Sequence, residues 1–373
     1  MSGLAVTHVG SLPRRQRVVD QIFAREKNEP WDRVEFDGIM AEEVAETVRL
    51  QQQAGVTIVS DGETSKISYA TYVKDRYSGF AGDSPRQPPA DLKDYPSFLE
   101  RLAKSGGTPQ YSRPCCVGPI SPKDSHDLQA DIQHLQSAMG SNSVAQGFMN
   151  AASPGVIALF LPNQYYPDHE SYLIALGEAL KTEYQAIIAS GLSLQLDCPD
   201  LALSRHMLFI EKSDEEFLDL ARLHMEVLNS ALEGLPAEKI RLHICWGNYE
   251  GPHHCDIAME KVFDVLMSSK AQYLLFENAN PRHGHEWSVF EERSAQIPDD
   301  KILVPGVIDT TTNFVEHPKL IAQRLERFVN FLGRERVVAG TDCGFGTFAG
   351  FGAVDPKIAY AKLRSLSEGA SLV

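Results

Sequence analysis

The sequence predicts an α/β fold, a (β/α)₈ barrel formed by one domain spanning residues 1–373. Short apolar runs rich in β-forming residues alternate with longer segments of helical spacing. Several of these runs are continuously apolar, which is typical of parallel strands covered on both faces. The turn after the first run, HVGSLPRR, contains one glycine and one proline. It therefore lacks the glycine-rich phosphate turn expected of a doubly wound sheet, which is the alternative fold.

Nine runs have the character of strands: 4–10, 55–62, 112–118, 154–161, 192–198, 239–246, 271–278, 301–308 and 336–343. A barrel needs eight, so we assign 112–118 to an extra hairpin outside it, because prolines flank this run and no clear helix follows. The segment 78–110 is rich in Pro, Gly and Ser and is interpreted as a long insertion or lid. The hairpin and the insertion together occupy the region near 78–130.

Helical spacing predicts helices over 33–54, 168–190, 213–233, 256–269, 317–333 and 354–368. Within 213–233, apolar residues recur at steps of three and four. Ser213 precedes three acidic residues, which is the pattern of an N-cap with acids in the first turn. Asp256 is expected to cap the helix at 256–269, and Pro318 falls in the first turn of the helix at 317–333.

Composition excludes several classes of protein. The formal net charge of −15 argues against nucleic acid as a partner, because phosphate binding requires clustered Lys and Arg. No run of about 18 apolar residues is present, and the first residues do not resemble a signal peptide, so neither a membrane span nor export is expected. Six cysteines are too sparse for a disulfide scaffold, which favours a reducing cytoplasm. The oligomeric state is left open, a homo-oligomer included.

Four potential metal ligands stand at the ends of three predicted strands: His243, Cys245, Glu277 and Cys343. Residues two apart on a strand point to the same side, so His243 and Cys245 can reach one ion. A barrel brings the ends of its strands to one mouth. Two thiols, an imidazole and a carboxylate form a plausible Zn²⁺ site. Such a site can hold a substrate sulfur as thiolate, which points to chemistry on a thiol.

Other interpretations of the cysteines and histidines remain open. The His-x-Cys pattern alone is weak, and free cysteine is a common buried apolar residue, which is the simpler interpretation of Cys115, Cys116 and Cys198. His253, His254 and Cys255 lie in a predicted loop before a helix. They are either alternative ligands or neighbours of the ligands.

Acidic residues end most of the predicted strands: Asp61, Glu63, Asp197, Asp309 and Asp342. For Asp61 and Glu63 the alternative is a solvated turn with helix caps. A mouth this acidic suits a metal ion and an amine-bearing substrate. We take Glu277 and Asp309 as the candidate catalytic residues, with Glu277, the hardest donor, displaced from the metal when sulfur binds.

Seven motifs occur in order along the chain: THVGSLPR, SDGE, LQLDCPDLAL, HICWGN, FEN, PGVID and TDCGFGT. In these motifs the sequence resembles the C-terminal catalytic domain of the cobalamin-independent methionine synthases, above all their shorter single-barrel branch. It is also similar to the epoxyalkane–coenzyme M transferases. The resemblance implies zinc ligands at His243, Cys245, Glu277 and Cys343, and substrate contacts at Ser11, Glu63 and Asp197. The same motifs supply His8, Arg14 and Trp246 as further substrate-binding candidates.

The sequence departs from the methionine synthases at three points. Thr310–Thr312 follow PGVID where the synthases carry the histidine that serves the folate leaving group. Cys198 and Pro199 follow Asp197, so the second acid of the synthases' Asp-Glu-Pro motif is missing. The N-terminal barrel, which helps to hold a polyglutamylated folate, has no counterpart. The thiol half of the site is therefore retained more completely than the alkyl-donor half.

The resemblance implies an enzyme that transfers a methyl group to a thiol in a zinc-dependent reaction. The expected partners are a small thiol, homocysteine or a similar compound, and an alkyl donor that is a folate or simpler. One alternative is addition of a thiol to an epoxide or another small electrophile, with Arg14 or Arg15 as anion partners. Another is a non-catalytic barrel that binds zinc or thiols. The related barrel decarboxylases that bind tetrapyrroles are not expected to carry these ligands.

Overall fold

The computed structural model describes residues 3–104 and 111–373. Its strands in this part of the chain are β1 (Ile58–Ser60), β2 (Phe80–Ala81), β3 (Cys115–Cys116), β4 (Gln146–Ala152), β5 (Ser193–Asp197), β6 (Ile240–His243), β7 (Tyr273–Phe276) and β8 (Ile302–Pro305). Six of them form one parallel sheet in the order β1-β4-β5-β6-β7-β8, and β2 pairs with β3 antiparallel.

Two extended segments connect the edges of the six-stranded sheet. Residues 337–340 lie beside β8 through parallel bridges from Leu303 to Val337 and from Gly306 to Gly340. The segment at residues 4–9 then pairs with them through the bridge from Val6 to Ala339. On its other side, Val6 O accepts hydrogen bonds from the backbone N–H groups of residues 57 and 58, beside β1. Eight parallel segments thus close into the predicted (β/α)₈ barrel.

The helices are α1 (Gln16–Glu26), α2 (Arg33–Gln53), α3 (Val73–Arg76), α4 (Ala90–Lys93), α5 (Pro96–Leu102), α6 (His126–Ser141), α7 (Pro154–Phe160), α8 (His169–Ala189), α9 (Ser204–Met207), α10 (Asp214–Ala231), α11 (Met259–Met267), α12 (Trp287–Glu292), α13 (Pro318–Leu332) and α14 (Pro356–Ala370). All six predicted helices are present. Ser213 caps α10 in a capping box with Glu216, as its sequence indicates. The sequence did not lead us to predict α1 and α6.

The strand predicted at 154–161 is wrong. Its residues form α7, and the strand at this point of the barrel is β4, at Gln146–Ala152. Ser153 caps α7 by accepting from Val156 N, and Pro154 occupies the first helical position. These are the signals of a helix start, and the apolar run that follows obscured them because a buried helix is as apolar as a buried strand.

The excursion predicted outside the barrel is present. Phe80 and Ala81 pair with Cys116 and Cys115, so the run at 112–118 forms a two-stranded antiparallel ladder rather than a barrel strand. The insertion predicted at 78–110 contains β2, α4 and α5, while its last part, 105–110, lies outside the described residues. Among the described residues, no helix is long and apolar enough to cross a membrane.

Candidate metal and substrate site

The barrel gathers the predicted metal ligands at its C-terminal mouth, where all four side chains are buried. His243 is the last residue of β6, and Cys245 follows it on the same side. Glu277 comes directly after β7, and Cys343 follows the segment that closes the barrel. One ligand atom each from His243, Cys245 and Cys343 lies within 4.8 Å of the other two.

The spacing of these atoms fits a tetrahedral ion. The Sγ atoms of Cys245 and Cys343 are 3.3 Å apart, Cys343 Sγ is 3.9 Å from His243 Nε2, and it is 3.7 Å from Glu277 Oε1. Zinc bonds of about 2.3 Å to sulfur and about 2.0 Å to nitrogen or oxygen place neighbouring ligand atoms roughly 3.3–3.8 Å apart. The three-residue group of His243, Cys245 and Cys343, with Glu277 beside Cys343, therefore fits Zn²⁺ in its donor types and in these distances.

A further layer of contacts orients the ligands. Asp197 Oδ1 lies 3.2 Å from His243 Nδ1, which leaves Nε2 directed at the thiols. Asn150 Nδ2 donates to Asp197 Oδ2 at 2.9 Å. A carboxylate behind a histidine in this way is a common feature of protein metal sites. Glu277 is held by Trp246 N at Oε1, 2.8 Å, and by Asn280 Nδ2 at Oε2, 2.7 Å.

Asp342 shapes the loop that carries Glu277. Its carboxylate accepts hydrogen bonds from the backbone N–H groups of Asn278, Ala279 and Asn280 at 2.8–2.9 Å. Three consecutive amides converging on one carboxylate fix the path of the chain just after Glu277. The acid that the sequence placed at this strand end therefore acts as a scaffold for the loop.

Burial and negative charge disfavour ionisation of the two thiols. The hydrogen bond with Cys245, together with burial, raises the pKa of Cys343 well above its usual range. A hydrogen bond from Cys343 lowers the pKa of Cys245, but burial and the charge of Glu277 outweigh it, so that this pKa is also raised. Two thiols and a carboxylate packed this closely call for a cation to balance the charge of their ionised forms.

A cavity of about 240 Å³, which we name the inner cavity, opens in front of the thiols. His243, Cys245 and Cys343 lie on its wall, and so do three of the predicted substrate contacts, Ser11, Glu63 and Asp197. Glu277 does not line it. That carboxylate lines a second cavity of about 370 Å³, which we name the polar cavity and which shares Gly247, Asn248, Tyr249 and Cys343 with the inner cavity. The predicted nitrogen and sulfur ligands thus face the inner cavity, and the predicted carboxylate ligand, Glu277, lies behind them.

Glu63 has the features of a residue prepared to bind a ligand. Its backbone adopts φ +55°, which non-glycine residues rarely do. Its side chain is 2% exposed, and Oε2 has no hydrogen-bond partner among the described residues. Burial, followed by the charge of Asp197, raises the pKa of Glu63 to about 8. A buried carboxyl group without a partner on a cavity wall is a suitable site for a cationic amino group.

Three predicted substrate contacts lie away from the inner cavity. His8 is fully buried, with Nε2 2.8 Å from Gln51 Oε1. The Trp246 indole is also fully buried and donates to Ile257 O at 2.6 Å. The Arg14 guanidinium binds the backbone carbonyl oxygens of residues 63, 64, 66 and 346. The structure thus gives these side chains supporting contacts, and that of Arg14 holds the turn that carries Glu63.

Asp309, predicted as a catalytic residue, lines the polar cavity but is engaged with its own loop. Its carboxylate accepts from Thr311 N at 2.9 Å, Thr311 Oγ1 at 2.8 Å and Thr312 Oγ1 at 2.6 Å. The threonines that replace the expected histidine are thus the donors that this carboxylate binds.

His253, His254 and Cys255 lie outside the group of metal ligands. His253 Nδ1 is 2.9 Å from Asp256 Oδ2, and the same oxygen lies 2.9 Å from His283 Nε2. Asp256 therefore does not cap α11 as predicted, because the N-cap is Ala258. His254 and Cys255 are near Asp94 at the surface, where the three could hold an ion of their own.

The sequence did not point to Tyr69 and Tyr249, which line the inner cavity. Tyr249 follows the HICWGN motif directly, which is the one signal that could have singled it out. Tyr69 lies in a stretch without helical or strand periodicity, and only the fold brings it to the mouth.

Sequence comparison gives relatives that match nearly the whole chain, although no family model matches it. The methionine synthase of Saccharolobus solfataricus is 23% identical over 377 residues, covering 99% of this chain and 95% of that protein. The methionine synthase of Pyrococcus furiosus is 28% identical over 211 residues, or 56% of this chain and 52% of that protein. The chain is thus similar, over nearly its whole length, to proteins named methionine synthase.

Solved structures of similar proteins agree in fold. A B12-independent methionine synthase from Shewanella sp. W3-18-1, in complex with selenomethionine, has a TM-score of 0.73 at 21% identity and covers 100% of this chain and 98% of its own. A putative B12-independent methionine synthase from Listeria monocytogenes has a TM-score of 0.65 at 18% identity, with 98% of each chain covered. Such likeness supports the barrel architecture and leaves the substrates to be argued from the site.

Proposed function

We propose that the protein is a zinc-dependent methyltransferase that methylates the sulfur of homocysteine. The carrying observation is the convergence of His243, Cys245 and Cys343 within 4.8 Å, facing a cavity that also contains a buried, unpartnered Glu63. The relatives named methionine synthase, matched over nearly their whole length, support this choice of reaction.

The two ends of the inner cavity suit the two ends of a homocysteine molecule. Zinc held by His243, Cys245, Glu277 and Cys343 would act as a Lewis acid that keeps a thiol in its nucleophilic thiolate form at neutral pH. Asp197 holds His243 in orientation, and Trp246 N and Asn280 hold Glu277. Glu277, which lies behind the other ligands, is the side chain we expect to give way when the substrate sulfur binds.

The amino group of the substrate is assigned to the acidic wall. Glu63 and Asp197 both line the inner cavity. Burial is the largest cause of the raised pKa of Glu63, and the charge of Asp197 is the next. An ammonium group between them would favour ionisation of both carboxyl groups. Ser11, on the same wall, would provide a hydroxyl for the substrate carboxylate, because its Oγ is bonded only weakly, accepting from Gly346 N at 3.4 Å.

The loop after β8 bears on the choice of methyl donor. Where the methionine synthases carry a histidine for the folate leaving group, this chain has threonines whose hydroxyl groups bind Asp309. A donor whose leaving group departs without that proton is therefore favoured.

The test is metal content and thioether formation measured on the same preparations. The zinc-loaded protein should convert homocysteine and a methyl donor to methionine, detected by mass, and Cys245→Ser should lose both the metal and the activity. Cys255→Ser is the matched control, because its half-exposed thiol lies outside the proposed ligands. Full activity of metal-free protein would exclude the proposal, and loss of activity in Cys255→Ser would show that the ligand set is wrong.

A further inference from the structure

A second cavity, of about 370 Å³, adjoins the inner cavity on the side of the insertion. We name it the outer chamber. It shares wall residues with the inner cavity, among them Tyr69, Leu92, Phe160 and Phe348. A molecule in the outer chamber therefore has direct access to the face of the site on which the two thiols lie.

Most of the outer chamber is apolar. Leu92, Leu99 and Leu102 reach it from α4 and α5 of the insertion, and Met207 reaches it from α9. Its volume falls within the range of about 300–1,000 Å³ usual for small-molecule sites. Such walls favour a ligand with a compact apolar body, because burial of that body against them removes apolar surface from water.

One part of the outer chamber is positively charged. Arg86 and Arg113 both line it. Their guanidinium groups donate hydrogen bonds to backbone carbonyl oxygens, Arg86 to that of Tyr111 and Arg113 to those of Pro85, Leu159 and Phe160. No carboxylate of the described residues forms an ion pair with either guanidinium, whereas the buried Arg76 is paired with both Asp131 and Glu183. The undescribed segment 105–110, SGGTPQ, has no acidic residue. In a chain of net charge −15, this pair of cations therefore forms a suitable place for an anionic group of a ligand.

We propose that the outer chamber binds the methyl donor, and that this donor has a compact apolar body with an anionic group that meets Arg86 and Arg113. The inference rests on the proposed function, since it presumes that a thiolate is methylated in the inner cavity. The sulfur attacks the methyl carbon, a C–S bond forms, and the bond from that carbon to the leaving atom breaks. The electron pair leaves with that atom, so that neither an oxidant nor a reductant is needed.

The polar cavity is the competing place for the donor. Glu277 lines the polar cavity, whereas His243 and Cys245 do not. A sulfur bound in the inner cavity would have the ligand residues between itself and a donor in the polar cavity. The eight wall residues that the outer chamber shares with the inner cavity include none of the predicted metal ligands, whereas the four that the polar cavity shares with it include Cys343.

The test uses three methyl donors of defined shape with the zinc-loaded protein and homocysteine. Methyl iodide needs no chamber, methyl 4-methylbenzenesulfonate has the apolar body, and methyl 4-carboxybenzenesulfonate has the body and the anion. We expect kcat/KM to be about tenfold or more higher for the carboxylate donor than for the uncharged aryl donor. Equal values for the two aryl donors would overturn the assignment of the anion.

Two variants and their controls locate the effect. Leu99→Trp fills the chamber and should reduce kcat/KM for both aryl donors about tenfold or more while leaving methyl iodide unaffected. Arg86→Gln should abolish the preference for the carboxylate donor. Leu372→Trp and Arg101→Gln make the same changes at exposed positions that line neither cavity and should change nothing. Methyl transfer from the two aryl donors that Leu99→Trp leaves intact would overturn the proposal.

Two further measurements separate this inference from the proposed function. Calorimetric titration of 4-sulfobenzoate, the leaving group, into metal-free protein should show binding that Leu99→Trp abolishes, and no binding would overturn the chamber. Methyltetrahydrofolate that acts as donor equally well in Leu99→Trp would place the donor elsewhere. If no donor, methyl iodide included, methylates homocysteine, the proposed function itself is excluded.

Discussion

The Asp91 carboxylate of the insertion lies 2.8 and 2.9 Å from the Tyr249 hydroxyl, in the loop that follows Cys245. Asp91 is fully buried and also accepts from His253 N at 2.9 Å. This contact attaches α4 to the loop after β6, the strand at whose end two of the proposed metal ligands lie. Since Leu92, the next residue, lines both the inner cavity and the outer chamber, the two cavities depend on this attachment for their shape.

Asp91→Asn should destabilise the protein and weaken substrate binding together. In the variant an NH₂ group replaces one carboxylate oxygen that accepts from the Tyr249 hydroxyl or from His253 N, so that two donors face each other. We therefore expect the free energy of unfolding to fall by about 1–3 kcal/mol. The KM for homocysteine should rise, because α4 loses its position. Urea unfolding and steady-state kinetics check the two effects. Asp94→Asn, at an exposed position of the same insertion, is the control and should leave both values unchanged.

The barrel was predictable because the periodicity of its elements is local. The continuous apolar runs at β7 and β8 and the spacing in α8, α10 and α13 follow from residues within each element. The error at 154–161 arose where local signals conflict: β4 carries polar residues such as Asn150, and the neighbouring α7 is the more apolar of the two. Periodicity alone does not separate a short buried helix from a buried strand, and Ser153-Pro154 was the deciding signal.

The part of the site that lies at strand ends was predictable from the geometry of a barrel. Strand ends meet at one mouth, which is why His243, Cys245 and Cys343 could be grouped from the sequence. The sequence could not say which neighbours of these residues face the cavity. His8 and Trp246 belong to the same motifs yet are buried elsewhere. The walls of the outer chamber come from an insertion whose packing depends on long-range contacts such as that of Asp91 with Tyr249, which no local pattern records.

Glu63→Gln should make the protein more stable at high pH. Because the folded-state pKa of Glu63 is raised to about 8, the folded state holds this proton more tightly than the unfolded state does. Stability is therefore lost as the pH rises from roughly 4.5 through about 8, and glutamine removes that loss. We expect the variant to exceed the parent in free energy of unfolding near pH 9, with little difference near pH 5, in urea titrations at both values.

The charged groups around Glu63 define the control for this prediction. Asp197 and Asp61 oppose its ionisation, while Lys66 and Arg14 favour it. Glu368→Gln, at an exposed position, should show no such pH-dependent gain. Loss of methionine binding should accompany the gain in Glu63→Gln, since the ammonium group loses its carboxylate partner. Equal pH profiles of the variant and the parent would contradict the assignment of a buried, unpartnered carboxyl group.

Asp197→Asn should weaken metal binding without removing a ligand. The carboxylate lies 3.2 Å from His243 Nδ1 and fixes which ring nitrogen faces the thiols. Removal of such a partner reduces metal affinity by about 10–100-fold. Competition with a chelator of known affinity measures the change. Asp200→Asn is a matched control, because it disrupts another buried Asp–His contact, 2.9 Å to His224 Nδ1, away from the inner cavity. An equal loss of affinity in both variants would point to general destabilisation instead.

Zinc removal should lower the stability of the whole barrel. The proposed ligands come from three separate barrel segments, β6, the end of β7 and the closing segment at 337–340, so an ion bound by the folded state alone ties them together. Zinc at about 100 times its dissociation constant would add about 2.7 kcal/mol to the free energy of unfolding.

Urea titrations with and without chelator measure this increment. Reductant must be present, because the Cys245 and Cys343 sulfurs lie 3.3 Å apart and would oxidise readily once exposed to oxidant. Cys343→Ser should lose the increment and Cys255→Ser should retain it. If the chelator leaves the parent unchanged while zinc is released, the metal does not contribute to the fold, and the four side chains must be preorganised by their own hydrogen bonds, those of Asp197, Asn280 and Asp342 above all.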